Sequence, residues 1–356
     1  MEFQVFDAAE HLSRKEWIGL WAQWPEREVF GHPEYVQLNA GPNDRALCAA
    51  ASDGGSHILY PFLLRALGDE PFCDRSLRDC ADIATPYGYG GPFKWGAVWN
   101  PETVREFWLK FDAWAAKSRV VSEVVRLALF PETLVEYAGD RRVILDNVVR
   151  SLNSEEELWR EFEHKVRKNV NKARTSGVTV RIDEKGDHLD EFLAIYNGTM
   201  NRRNARETYY FPREHFERIH ANLKGQFAYF HAFIGGAVVS TELVLVSANR
   251  IYSFLGGTDA AWFHVRPNDL LKVEIMNWAR SAGKTDFVLG GGYARGDGIY
   301  RYKLSFAPCG SVPFSLGSRV LCPDAYKQLV HARRTFEATE GRQWQPNPEY
   351  FPAYRG

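Results

Sequence analysis

Residues 227–255 read FAYFHAFIGGAVVSTELVLVSANRIYSFL. They contain three apolar runs, Phe227 to Ile234, Ala237 to Val246 and Arg250 to Leu255. Gly235-Gly236 joins the first two, and a two-residue hairpin turn wants residues that accept positive φ at both positions. The nearly continuous apolar content predicts a β-meander covered on both faces. Upstream, the pattern predicts a strand at Val178 to Ile182 and a helix carrying Leu189, Phe192, Leu193, Tyr196 and Met200. A second helix is predicted from about Arg213 to Leu223. Earlier still, Ser154-x-x-Glu157 reads as a capping box opening a helix that buries Leu158, Trp159, Phe162, Val166, Val170 and Ala173 and ends at Gly177. Downstream, Asn268 reads as the cap of a helix with Leu271, Ile275 and Trp278 inward and Gly283 at its end. A strand finishing in Gly290-Gly291-Gly292 follows.

The first half offers a strand (Phe3 to Phe6), a helical region with Trp17, Trp21 and Trp24, and an apolar hairpin from Ala46 to Leu67 turning at Asp53-Gly54-Gly55. A glycine-rich stretch, Ala84 to Gly91, precedes a helix with Asn100 as cap and Pro101 at its first position. That helix lines up Val104, Phe107, Trp108, Phe111 and Trp114, and a strand from Val120 to Leu129 follows it. A last helix is expected at Pro323 to Ala338, ahead of a Pro- and aromatic-rich strap. The chain has 356 residues, 45% hydrophobic and 14% aromatic, enough for two cores. A formal net charge of -1 leaves no global field for polyanions, so any such partner must use a local patch. Cys48, Cys73, Cys80, Cys309 and Cys322 form no CxxC pair and read as reduced thiols. The start of the chain has no basic segment followed by an apolar run, and no stretch approaches the roughly 20 apolar residues of a span. The protein is therefore read as cytoplasmic.

Several signatures are excluded. Gly283-Lys284-Thr285 follows a helix and has Trp278 where a P-loop needs glycine. GxSxG and HExxH are absent, and the ten histidines lack metal-ligand spacing, so no metal is expected. Two strings stand out instead: Thr85-Pro-Tyr-Gly-Tyr-Gly-Gly-Pro92 and LGGGYARGDGIYRYKLSF at 289–306. Together they resemble the FemABX-like aminoacyltransferases, which carry a similar PYGYGGP stretch early and a GGG…D…(F/Y)K…F stretch late. LWREFEHKVRKNVNKARTSG (158–177) and YNGTMNRRNARETYYF (196–211) also look like that family. The order strand, two helices, three strands, helix, strand is that of acetyltransferase-like folds, and the first half repeats its later portion. The expected fold is therefore α/β with mixed sheets, built as two tandem GNAT-like domains. Residues 1–150, joined by the C-terminal helix 321–356, make the first, and 151–320 make the second with the donor site.

The resemblance implies that Lys303 acts in transfer. Set among Tyr300, Tyr302 and Phe306, a lysine is suited to donate to a tetrahedral oxyanion. Gly290, Gly291 and Gly292 read either as a flexible turn or as a place where a ligand meets free backbone amides. An attacking amine must lose a proton, for which Glu242 and Asp297 are the candidates. Glu242 lies in an apolar strand, where burial would raise its pKa unless it faces water or pairs with an arginine. Asp297, between Gly296 and Gly298, also reads as a turn former. Tyr87, Tyr89, Arg203, Arg206, Tyr209 and Tyr302 are candidate substrate contacts, with the Arg202, Arg203 and Arg206 forks suited to phosphates.

Acyl-CoA enzymes of this fold cradle the pyrophosphate on a glycine-rich loop at a helix N-terminus. Here the loop is Ala260-Ala-Trp-Phe-His-Val-Arg-Pro267, without glycine and with a proline that has no amide donor. This departure, which Fem-like enzymes share, favours aminoacyl-tRNA as co-substrate and no bound cofactor, with acyl-CoA the alternative donor. Lys165, Lys168 and Lys172 flank one edge of the 154–176 helix, Arg167 and Arg174 the other. The three lysines are tRNA-contact candidates as well as ordinary solvated stems. No long charged helical pair of the coiled-coil arm type is present, and the acceptor stays open among a peptidoglycan precursor, a peptide and a small amine. The expected activity is aminoacyl transfer from tRNA to an amine. An acyl-CoA N-acyltransferase and a non-catalytic binding module on the same fold are the alternatives.

Overall fold

The computed structural model describes residues 1–96 and 99–356 and divides into two compact units. Unit 1 holds Met1–Pro25, Phe30–Ile144 and Phe314–Gly356; unit 2 holds Glu26–Val29 and Leu145–Pro313. Each has mixed α/β architecture.

Unit 1 begins with β1 (Glu2–Asp7), α1 (His11–Gln23), α2 (Pro33–Leu38), β2 (Arg45–Asp53), β3 (Ser56–Ala66), β4 (Ala81–Ala84), β5 (Phe93–Gly96), α3 (Pro101–Lys117) and β6 (Val120–Arg126). The chain passes into unit 2 along β7 (Asp140–Ser151). There it forms α4 (Glu155–Glu161), α5 (His164–Thr175), β8 (Thr179–Asp183), α6 (Leu189–Arg202), α7 (Arg213–Asn222), β9 (Phe227–Ile234) and β10 (Ala237–Val246). Next come β11 (Arg250–Thr258), α8 (Pro267–Ser281), β12 (Asp286–Gly290) and α9 (Gly298–Leu304). It returns along β13 (Ser311–Val320) to α10 (Pro323–Thr339).

In unit 1 the strand order is β1-β2-β3-β4-β6-β13, with β5 on β3. Pairing is antiparallel except between β4 and β6. The β2–β3 turn rests on Gly54 and Gly55 at φ +54° and +86°, conformations that cost a Cβ-bearing residue energy. Asn100 caps α3 by accepting the Thr103 amide at 2.7 Å, and Phe107, Trp108 and Phe111 bury its inner face against Tyr60 and Phe62. The C-terminal segment also belongs to this unit. Leu329 of α10 and Tyr354 pack with Leu67, Phe72, Leu77, Cys80 and Val121. The Tyr354 hydroxyl lies 2.8 Å from Ser122 Oγ and donates to Asp82 at 3.1 Å, while Arg355 pairs with Asp82 at 2.6 Å.

In unit 2, Ser154 and Glu157 form the capping box that opens α4. The expected continuous helix to Gly177 is nonetheless two helices. Phe162 leaves the helical region at ψ 142° and packs on Phe306, and the Glu163 amide donates to the Ser305 carbonyl at 3.0 Å. Arg167 fills the break by donating to the carbonyls of Trp159, Arg160 and Phe162, the orphaned acceptors at the end of α4. Gly177 and Gly283 end α5 and α8 with positive φ, each followed by the paired backbone bonds of a Schellman closure. Asn268 is not the cap of α8. Arg266, in left-handed conformation at φ +61°, precedes Pro267 at the first helical position.

Candidate active site

The unit 2 sheet runs β7-β12-β11-β10-β9-β8. Its three central hairpin strands are antiparallel, whereas β11 and β12 are parallel. Among the described residues, β11 and β12 pair from Arg250↔Asp286 to Tyr252↔Val288, while β11 runs on to Thr258. The register between β10 and β11 slips at Leu243/Val244, a bulge that gives β11 one extra residue there. The sheet therefore opens beyond Tyr252. Side chains from β10, β11, α8 and α9 meet at that opening, beside the glycine run that ends β12.

Lys303, on the last turn of α9, donates from Nζ to the Gly291 carbonyl at 2.7 Å. Burial, with a further push from the Lys272 charge, takes its ammonium down to about 8, against partial support from Glu242 and Asp297. The glycines are there for space. A Cβ at Gly291 would collide with Asn147, and one at Gly292 with the Asp297 carboxylate, while Gly290 sits at φ +79°. The amides after the run are already engaged, because Asp297 accepts from Tyr293 at 2.7 Å, Ala294 at 3.2 Å and Tyr300 at 2.8 Å. Asp297 is thus the N-cap of α9. Desolvation is the largest single influence and pushes its carboxyl up, yet the backbone donors together outweigh it and hold the carboxyl below the usual range, which suits an anchored acceptor and not a base.

Glu242 is buried, as its setting in an apolar strand implied, but it does not stand alone. Lys272 Nζ lies 2.5 Å from its Oε1 and 3.0 Å from Ser253 Oγ, with both charged side chains nearly sealed from water. Of the alternatives left open by the sequence, a paired carboxylate is the one that forms, with a lysine in place of an arginine. Tyr302 adjoins it: its hydroxyl accepts from Asn268 Nδ2 at 2.8 Å and its ring meets Phe306. Burial and the Asp269 and Glu242 carboxyls push that phenol well above its ordinary range. Asp269, buried in the first turn of α8, accepts from Asn169 Nδ2 at 2.9 Å, and desolvation raises its carboxyl above the usual value.

The other candidates divide. Tyr209 meets Tyr293 edge-on at 6.3 Å; desolvation and then Tyr209 raise the Tyr293 phenol, while the Arg203 charge lowers it. Arg203, Tyr209, Tyr293 and Asp297 therefore form one neighbourhood beside the glycine run. Arg206 is exposed at the start of the Glu207–Tyr209 turn, and Arg202 covers Phe263. Tyr87 and Tyr89 belong to unit 1. Tyr35 donates to the Tyr87 carbonyl at 2.8 Å, Arg126 lies over the Tyr87 ring, and Tyr89 packs on Phe30 and Phe314. The glycines between them are steric necessities, since a Cβ at Gly88 would strike Phe30. Lys165, Lys168 and Lys172 line an exposed face of α5, while Arg174 pairs with Glu274 at 3.3 Å and Arg167 is the cap described above. Among the described residues no group of three or more His, Cys, Asp or Glu is placed to hold a metal, and no helix is long and apolar enough to cross a membrane.

The segment Ala260–Val265 is a 3-10 turn, and it leads into α8 through Arg266 and Pro267. The family model for the acetyltransferase (GNAT) domain matches residues 160–304, the span that contains this opening. The crystal structure of FemX superposes with a TM-score of 0.66 at 13% identity, covering 92% of this chain and 99% of its own. The chain has the FemX fold. Other solved structures share the fold over most of the chain. The C-terminal domain of a putative lysylphosphatidylglycerol synthetase from Agrobacterium fabrum matches at 14% identity and TM-score 0.55, covering 92% of this chain and 96% of its own. A conserved protein of unknown function from Bacteroides thetaiotaomicron matches at 11% and 0.54, covering 89% and 99%. A comparison with curated proteins finds no sequence match.

Lys272, Asn268, Asp269 and Asn169 were not legible as site residues. Lys272 sits at a spacing that helical surface lysines share, and only the sheet opening reveals that it points inward.

Proposed function

We propose that this protein is an acyltransferase that moves an aminoacyl group from aminoacyl-tRNA onto an amine. The observation that carries the reading is the opening between β11 and β12, where a desolvated lysine of depressed pKa stands beside the glycine turn. In the proposed reaction the amine nitrogen attacks the ester carbonyl, a C–N bond forms and the carbonyl oxygen becomes an oxyanion. The Lys303 ammonium donates to that oxygen. Collapse breaks the C–O bond to ribose, whose oxygen takes a proton as the new amide nitrogen loses one. Arg203 and Tyr209, beside the glycine run, are the proposed acceptor contacts.

The donor choice rests on the entrance to α8. Pro267 removes one amide, the Asp269 amide is bonded to the Arg266 carbonyl, and Asp269 places an acidic group in the first turn. A pyrophosphate finds little there that resembles a phosphate cradle. The resemblance to Fem-like aminoacyltransferases supports tRNA instead, and the exposed lysines of α5 supply the local positive face. The GNAT family match keeps acyl-CoA as the second reading. Calorimetry separates the two: aminoacyl-tRNA should bind saturably and CoA should give no isotherm, and the reverse pattern would replace the first reading with the second.

Two outcomes follow. Lys165→Glu, Lys168→Glu and Lys172→Glu combined should raise KM for charged tRNA by at least tenfold at low salt, flatten its salt dependence and leave kcat nearly unchanged. An unaltered KM would remove α5 from the donor surface. The second concerns pH. Lys303 donates only while protonated, so its contribution is full well below pH 8 and disappears as pH rises through about 8. Turnover with saturating substrates should therefore fall above pH 8; a rate that instead rises to a plateau there would make Lys303 a base.

A further inference from the structure

The 3-10 turn Ala260–Val265 follows the free end of β11 and carries two large rings that are not fully buried. Phe263 is 43% exposed. Trp262 is half-buried: it packs on the unit 2 core, and its ring lies within 19° of parallel to that of His264. A singly exposed apolar residue is ordinary on a protein surface, and what sets these rings apart is their company. Arg202, at the end of α6, holds its guanidinium 4.9 Å from the centre of the Phe263 ring and is fixed there by a bond to the Thr258 carbonyl at 3.3 Å. Arg266 closes the turn. It is exposed and stands at φ +61°, a conformation that glycine or asparagine adopts more readily than arginine.

The turn also packs against α5, where Val166 and Val170 share a core with Val265. Asn169 ties that helix to Asp269 at the start of α8, and Lys165 lies one turn before Asn169, at the head of the exposed lysine row. The other end of this surface reaches the reaction site. Asn268, on the first turn of α8, donates to the Tyr302 hydroxyl at 2.8 Å, and Tyr302 is the neighbour of Lys303 on α9.

We propose that Trp262 and Phe263 form a stacking platform for the unpaired nucleotides at the 3′ end of the RNA donor, with Arg202, Arg266 and Lys165 taking its phosphates. The proposal rests on the transfer reading above, and the chemistry of that reaction calls for it. The ester sits on the terminal ribose of a single strand, so the last nucleotides must run between the surface that holds the paired stem and the lysine that meets the oxyanion. Every base has a π-face, so aromatic stacking backed by cations fixes a strand without reading its sequence. An anionic membrane is the other partner that exposed aromatic and basic residues suit. A bilayer, however, is held by an extended apolar face, and two rings in a short turn fall well short of one.

Fluorescence anisotropy at low salt tests the platform in the full-length protein, using two uncharged RNA hairpins with the same stem, one blunt and one ending in an unpaired 3′ tail. The tailed hairpin should bind more tightly. Phe263→Ala should weaken it by roughly 5- to 150-fold and leave the blunt hairpin unchanged. Phe263→Trp should keep the tail's contribution, whereas Phe263→Leu, which retains apolar area and loses the flat face, should not. Lys165→Glu should weaken both hairpins alike. Equal affinity for the two hairpins overturns the proposal, as does equal weakening of both by Phe263→Ala or a wild-type response from Phe263→Leu. Binding to vesicles of phosphatidylcholine and phosphatidylglycerol, with none to either RNA, would also overturn it and make the turn a membrane contact. Tail-dependent binding by a protein that forms no amide from any donor would uphold the platform and reject the transferase reading. Amide formation by Phe263→Ala with an unaltered KM for charged tRNA would do the reverse, so the two fail separately.

Discussion

Replacing Lys303 with Met should slow turnover roughly 100- to 1,000-fold while leaving the affinity for donor and acceptor and the melting temperature nearly unchanged. The size follows from the environment. A donor held in a desolvated opening interacts more strongly with developing negative charge than one in water, and it meets no such charge in the ground state. The small effect on stability has its own cause. Burial already disfavours the Lys303 ammonium, which makes one hydrogen bond to the Gly291 carbonyl, so Met gives up that bond and removes a desolvated charge. Single-turnover kinetics with preloaded donor, beside a thermal melt, separates the outcomes. A variant that unfolds, or that works at the wild-type rate, makes Lys303 structural and leaves the oxyanion without the partner proposed for it.

The largest expected effect on stability lies in unit 1. Tyr354→Ala should destabilise the protein by about 3 to 5 kcal/mol, the usual range for deleting a buried aromatic ring. Tyr354 is fully buried beside Tyr326 and Leu329, and its hydroxyl is shared between Ser122 and Asp82. Removal leaves a cavity and withdraws a donor from a sealed carboxylate that otherwise relies on Arg65 and Arg355. At about 2 to 4 °C per kcal/mol, the melting temperature should fall by roughly 6 to 20 °C. Leu12→Ala, 72% exposed on α1, is the control and should shift it by no more than about 2 °C. A Tyr354 variant that melts with the control would mean that the C-terminal segment is not integral to unit 1.

Much of this architecture was written in local signals. Gly235-Gly236, Gly54-Gly55, the Ser154 box and the Asn100 cap act within a few residues, and each formed the turn or helix end that its chemistry requires. The errors have the opposite origin. The break at Phe162 depends on Phe306 and Ser305, more than 140 positions away, so a run of good helix formers gave no warning of it. Strands β7 and β13 were missed because RRVILDNVVR and SVPFSLGSRV mix polar and apolar residues without clean alternation. For the site, the residue type of Glu242 was legible and its state was not. Its partner Lys272 lies 30 positions on, and nothing in the periodicity of α8 distinguishes an inward lysine from a solvated one. Asp297 shows the same limit, since one carboxylate between two glycines fits a base, a turn and the helix cap that it is.

The measurement that tests the central claim most directly is product formation. The protein is incubated with a total tRNA pool charged with mixed amino acids and with a panel of amines, including nucleotide-linked peptide precursors, free peptides and small amines. Ester loss from tRNA and new amides are followed together by mass spectrometry. The expected result is protein-dependent deacylation that requires an amine and yields its aminoacyl amide, with Lys303→Met reducing the rate by at least about 100-fold. Amide formation from acyl-CoA in place of charged tRNA, or hydrolysis of the ester with no amide from any amine, would contradict it.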